Sequence, residues 1–152
     1  MSVLLSVIGA FCTSIAYALV LHAPKVTLVA SACNGALVWL LYQLLQSSVG
    51  DIAGMFLASL CMAFGSQWLA RHYKTPVTVI LIPSFIPFVP GGDIYRCIYY
   101  LLQDQASLSL HYLGNTLLIS GMIALGAMSS EACMTYVKRQ TKRKEMQRWK
   151  KF

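Results

Sequence analysis

Before residue 138 the chain carries only Lys25, Asp51, Arg71, Lys74, Asp93, Arg96, Asp104 and Glu131 as charged residues, and most of them fall in short stretches between long uncharged runs. A water-soluble domain holds about 25% charged residues, whereas this 152-residue chain holds 11% and is 57% hydrophobic. An α-helix needs about 20 apolar residues to cross a hydrocarbon layer of about 30 Å. Inside that layer a backbone N–H or C=O finds no partner outside a helix or a closed barrel. The runs therefore predict an all-α, polytopic integral membrane helix bundle over residues 1–137. Residues 138–152 follow as a basic cytoplasmic tail.

Four of the runs are uninterrupted. Residues 1–21 form the first. Ala16-Tyr17-Ala18 resembles a signal-peptidase site, but the positive segment that precedes such a site is missing, so the run reads as a retained span. Ala10, Ser14 and Ala18 share one face of it, as close helix packing in a membrane requires. Residues 26–45 form the second span, with Asn34 at middle depth. Asn34 has two readings, a polar group on a solute path or a hydrogen-bonding anchor between helices. A polar turn over residues 46–51 leads to a third span over 52–70, where Gly54 and Ala58 repeat the small-residue spacing. After a polar loop at 103–111, the last span covers 112–137 and places Ser120, Ala124, Gly126 and Ser130 at small positions. Glu131 is its one acid. It reads either as a proton-coupling carboxylate or as an interfacial acid paired with the tail. Cys12, Cys33, Cys61, Cys97 and Cys133 fall one to a segment, without the spacing of a metal site or disulfide framework, and read as small apolar packers.

Residues 76–102 differ from the rest. They begin as an apolar run, carry Pro83, Pro87 and Pro90, and then pass through Gly91-Gly92 to Asp93, Tyr95 and Arg96. A proline inside a helix removes one N–H and displaces the carbonyl four residues earlier, and paired glycines invite angles that a helix does not use. The segment reads as a broken fourth span, of the kind that holds solutes in secondary transporters. A plain proline kink is the alternative. Residues 76–90 as a helix reach about 22 Å, so the crossing extends past Gly92. Asp93 is then expected to cap a second half-helix from about Ile94, with Tyr95, Tyr99 and Leu102 on one face. The N-terminus of that half-helix, with Arg96 one turn away, would favour a carboxylate.

Five crossings with the N-terminus outside put Lys25, Arg71, Lys74 and the tail on the cytoplasmic side, leaving Arg96 outside, in agreement with the positive-inside rule. The tail, KRQTKRKEMQRWKKF, has eight basic residues against Glu145. Directly after a span, such a run is expected to lie on anionic lipid rather than on nucleic acid. No catalytic motif, cofactor-binding glycine loop or metal-ligand cluster is present in the sequence. The chain reads as a non-enzyme that needs no cofactor and no metal.

The run TPVTVILIPSFIPFVPGGDIYR, residues 75–96, resembles the signature of the threonine/serine exporter family. The likeness rests on Pro76, Pro83, Pro87, Pro90, Gly91 and Tyr95, with Ala23-Pro24-Lys25, Asn34-Gly35 and Trp39 fitting the family's second helix. The resemblance is to the short form, which corresponds to the C-terminal half of long members. It implies a proton-motive-force-dependent secondary exporter subunit in a bacterial inner or plasma membrane, working with a larger membrane subunit in a hetero-oligomer, or as a homo-oligomer. Threonine, serine and succinate are the implied substrates. The expected solute contacts are Pro87, Pro90, Gly91, Gly92, Asp93, Tyr95 and Arg96. Asp93 beside Arg96 suits a zwitterion better than a dicarboxylate. A structural or regulatory subunit that stabilises a transporting partner is the alternative reading.

Overall fold

The computed structural model describes the backbone of residues 2–149 and the side chains of residues 3–136. The side chains of the basic tail, on which the expected lipid contact depends, lie outside the described residues. Six α-helices follow in order: α1 (Ser2–Val20), α2 (Lys25–Val49), α3 (Asp51–Tyr73), α4 (Val77–Phe85), α5 (Gly91–Leu102) and α6 (Ala106–Trp149), with a 3-10 turn at Ile86–Phe88. Among the described residues, four helices are long and apolar enough to cross a membrane. A fifth crossing results if Val77–Phe88 and Gly91–Leu102 form one span, bent by 47° at the break. The polytopic helical bundle read from the sequence is the fold observed.

Local chemistry explains where the helices stop. Pro24 and Pro76 stand immediately before α2 and α4 in extended conformation, positions where a missing N–H costs no helical hydrogen bond. His22, Lys74 and Asp104 each adopt positive φ just beyond the ends of α1, α3 and α5. The amides that follow them reach back to the carbonyls of Ala18, Ala70 and Tyr100 at 3.0 Å, so left-handed caps satisfy the last turns. Between α2 and α3 the chain reverses at Gly50, whose φ of 86° and ψ of 169° suit glycine alone. Residues 46–49 are helical, and the turn expected over 46–51 shrinks to this one residue. The expected loop at 103–111 likewise contracts, because α6 begins at Ala106.

Small residues bring the helices together. α1 packs on α2, α2 on α3, and α4 sits against all three, while α3 also lies along α6. The predicted small faces at Ala10, Ser14 and Ala18, and at Gly54 and Ala58, are buried, as are Gly126 and Ser130, whereas Ser120 and Ala124 are exposed. The apolar core comprises Val38, Tyr42, Met55, Ala58, Met62, Phe88, Ile119 and Ile123. Four of the cysteines are not packers here: Cys12, Cys33, Cys61 and Cys133 are exposed, whereas Cys97 is half-buried with its Sγ 3.4 Å from Ser109 Oγ.

The α3–α6 contact fixes a parallel register. Gly126 faces Ser59, Gln67 donates to Ser130 at 3.0 Å, and Arg71 reaches Met134. The start of α3 is therefore level with the region of Asn115 and Thr116 in α6. The first turns of α6 extend beyond it, and α5, which among the described residues packs on α6 and on no other helix, runs antiparallel beside them.

Gly126 allows no side chain. A Cβ there would stand 2.8 Å from the Phe56 carbonyl oxygen and 3.0 Å from the Leu60 amide nitrogen, whereas Gly121 has nothing within 4 Å. Gly126→Ala is expected to destabilise the bundle by about 1–3 kcal/mol. A lowered melting temperature in detergent, with Gly121→Ala unchanged, is the measurement that checks it.

Candidate functional site

Proline chemistry sets the position of the break. Pro83 and Pro87 cannot donate to the carbonyls one turn earlier, so the helix tightens into the 3-10 turn and ends at Phe88. Val89 is extended (φ −63°, ψ 125°), and Pro90 has ψ 52°. Gly91 and Gly92 then behave differently from expectation. Both are helical, neither has positive φ, and a Cβ on either would meet nothing within 4 Å. The chain departs from the helix at Val89-Pro90, and the glycines form a bare first turn of α5. The amides in a first turn lack carbonyls one turn back; here the Gly91 N–H donates to the Val89 carbonyl at 2.7 Å and that of Ile94 to the Pro90 carbonyl at 3.1 Å, which leaves the amides of Gly92 and Asp93.

Asp93 is the third residue of α5 rather than its cap, since the residue before the helix is Pro90 and no side chain caps it. Its two oxygens are held differently. Oδ2 accepts a hydrogen bond from Asn115 Nδ2 at 2.6 Å, and Oδ1 lies 3.9 Å from the Arg96 guanidinium. That guanidinium stands 5.6 Å from the centre of the Tyr112 ring, close enough for a cation–π contact. Asp93 is largely covered, with 18% of its side chain exposed against 59% for Arg96. Tyr95 and Tyr99 stack on one another at 6.2 Å and, with Leu102, share an exposed face as predicted. The α5–α6 pair is completed by Ser109, which donates to the Cys97 carbonyl at 2.8 Å, and by Tyr100 stacked on Tyr112 at 5.5 Å.

On the other side of the break, Phe88 is 1% exposed and packs edge-on against Trp39 and Tyr42, at 5.4 and 6.4 Å between ring centres. The Tyr42 hydroxyl donates to Asp51 Oδ1. Asp51, level with Asn115, and Asp93 thus stand at one end of the bundle beside the bare turn. Asn115, Tyr112 and Asp51 escape a reading of the sequence. Asn115 is a lone amide in an apolar run, the one signal that could have marked it. Asp51 looks like an ordinary turn residue.

Asn34 is buried and lies away from the bare turn. Its Nδ2 faces the Ser66 hydroxyl at 3.0 Å, and the Met62 carbonyl and Ser84 hydroxyl at 3.3 Å. Ser84 in turn lies 2.8 Å from the Ile80 carbonyl and 2.9 Å from that of Ser31. These contacts tie α2, α3 and α4 together just before the break. Glu131 is exposed on α6, beside Met128, Ala132 and Thr135. It is one turn from Met134, which Arg71 contacts, and the structure does not bring it to the break.

A sequence profile described as threonine/serine exporter, ThrE, matches residues 6–133 of the chain. A threonine/serine exporter from Corynebacterium glutamicum is 27% identical over 90 residues, which cover 59% of this chain and 18% of that protein. The chain thus aligns with less than a fifth of the length of this relative. No solved structure matches it.

The Asn34 junction yields a stability test. Interhelical hydrogen bonds within membranes contribute about 0.6 kcal/mol each on average, so Asn34→Leu is expected to cost about 1–2 kcal/mol. Equilibrium unfolding in mixed micelles measures this, and Asn34→Gln should restore part of the loss.

Proposed function

Because this chain belongs to the threonine/serine exporter family, we propose that it is a membrane subunit of a secondary exporter. It moves small carboxylate-bearing metabolites out of the cell, threonine- and serine-type amino acids before succinate. The observation that carries the reading is the bare turn at Gly91-Gly92 beside the Asp93–Arg96 pair. An amino acid presents an ammonium and a carboxylate a few ångströms apart. Asp93 offers a carboxylate to the first. Arg96 and the amides of Gly92 and Asp93 offer positive charge to the second.

In this reading Pro87 and Pro90 shape the approach, Gly91 and Gly92 let the solute reach the backbone, and Tyr95 lines or gates the path. A dicarboxylate would find Asp93 a repulsive neighbour, which is why the amino acid is preferred. The N-terminus lies outside and the basic end inside, with Lys25, Arg71 and Lys74 on the cytoplasmic face and the tail on anionic lipid. A larger membrane subunit of the same family completes the transporter, in keeping with the small fraction of the curated relative that this chain covers.

Efflux of threonine, serine and succinate tests the reading in cells making this chain alone, with the larger subunit, and with that subunit plus variants of the break. Amino-acid export is expected to need both subunits and to disappear in a Pro90→Ala, Gly91→Leu double variant at unchanged protein level. Asp93→Asn should lower it about tenfold or more, because a hydrogen bond to a charged group is worth about 1.5–3 kcal/mol and 1.4 kcal/mol is tenfold. Export that survives all of these changes would make the chain an accessory to a partner that holds the site.

A further inference from the structure

The carboxylates of the body differ in what holds them. Asp93 has Arg96 and Asn115. Asp104 occupies the positive-φ position of the α5–α6 turn, and both it and Glu131 are exposed. Asp51 is half-buried and, among the described residues, has no cation within 4.0 Å. Its side-chain partner is a neutral group, the Tyr42 hydroxyl. Tyr42 is 8% exposed, and its ring belongs to the aromatic cage that encloses Phe88, the last residue before the break.

A carboxylate at the start of a helix is commonplace, and its charge is favoured there. Asp51 differs in being joined to the broken helix through one hydrogen bond and one ring. We propose that Asp51 is a proton-binding site and that Tyr42 and Phe88 carry its state of protonation to the break at Val89-Pro90. This deepens the exporter reading and depends on it for the link to transport. The chemistry balances simply: the Asp51 carboxylate gains one proton from solution, Tyr42 keeps its own, and no covalent bond changes elsewhere. What changes is the strength of the Tyr42–Asp51 contact. A hydrogen bond to an ionised acceptor is roughly twice as strong as one between neutral groups, so protonation loosens the hold on the Tyr42 ring, and with it the cage around Phe88.

The surroundings leave Asp51 to act by itself. The groove it lines, of about 660 Å³, receives only Met122 and Leu125 from α6 and apolar residues or glycine from the neighbouring turns. From the 3-10 turn, Phe88 meets the Tyr42 ring at 6.4 Å between centres. From α5, the acid at this end of the bundle is Asp93, and its charge is offset by Arg96 at 3.9 Å. Gly50, with its positive φ, fixes the reversal that sets Asp51 beneath the Tyr42 hydroxyl.

Trp39, 5.5 Å from Tyr42 between ring centres, supplies a reporter that does not depend on transport. In full-length protein carrying Trp68→Phe and Trp149→Phe, the emission of Trp39 is expected to change with pH as the binding of a single proton does. Asp51→Asn and Tyr42→Phe should each abolish it, and Glu131→Gln should leave it intact. Persistence in Asp51→Asn, or loss in Glu131→Gln, would overturn the assignment, and persistence in Tyr42→Phe would overturn the route through Tyr42. In vesicles holding the complete transporter, Asp51→Asn should reduce amino-acid flux driven by a pH gradient to the level without a gradient, while exchange at equal pH continues. An Asp51-dependent titration in vesicles that move no amino acid would leave the proton site standing and remove the exporter reading. Flux that keeps its full gradient dependence in Asp51→Asn would remove the coupling and leave the exporter.

Discussion

Hydrocarbon offers no hydrogen bonds, and the rest of this fold answers to that constraint at the prolines of α4. Pro83 and Pro87 release carbonyls that water would satisfy at little cost, whereas a buried polar group without a partner costs several kcal/mol. The segment survives because it is not exposed to lipid on all sides. α4 is enclosed by α1, α2 and α3, and Ser84 and Asn34 supply polar contacts beside the break. The buried Ser31, Ser66 and Ser84 with Asn34 thus form a polar junction of α2, α3 and α4 at the depth of the prolines.

From that junction the two halves of the broken segment diverge in character. α4 is packed on three helices, and Phe88 closes it against Trp39 and Tyr42. Beyond Pro90, α5 rests on α6 alone among the described residues, and the polar groups Asp93, Arg96 and Asn115 gather where the packing thins. Close support before the break and open space after it divide the segment into a fixed half and an accessible half.

Much of this was legible in the sequence because the solvent, rather than specific contacts, dictates it. Uncharged runs of about 20 residues can only be spans, and the small residues at Ala10, Ser14, Ala18, Gly54 and Ala58 packed where their spacing put them. The break was visible for the same reason. Its details were not. Gly91 and Gly92 were expected to leave the helix, but Pro90 does so first and leaves them free to be helical. Asp93 was expected to cap α5, but a residue 22 positions later, Asn115, holds it inside the first turn. Asn34 meets Ser84 across 50 residues of chain. Contacts of that range depend on how helices rotate against one another, and hydrophobic periodicity fixes this only to within a face.

The length of α6 has a mechanical consequence. Its 44 residues amount to about 66 Å, roughly twice the hydrocarbon thickness, and no proline interrupts it. A rod of that kind acts as a beam: seated against α3 at its middle, it has one arm beside α5 and the other running toward the basic end. A tilt of about 10° about that seat would swing the two tips by about 11 Å relative to each other, given about 1.5 Å of rise per residue. Displacement of α5 on one side of the membrane and of the charged end on the other are two readings of one angle.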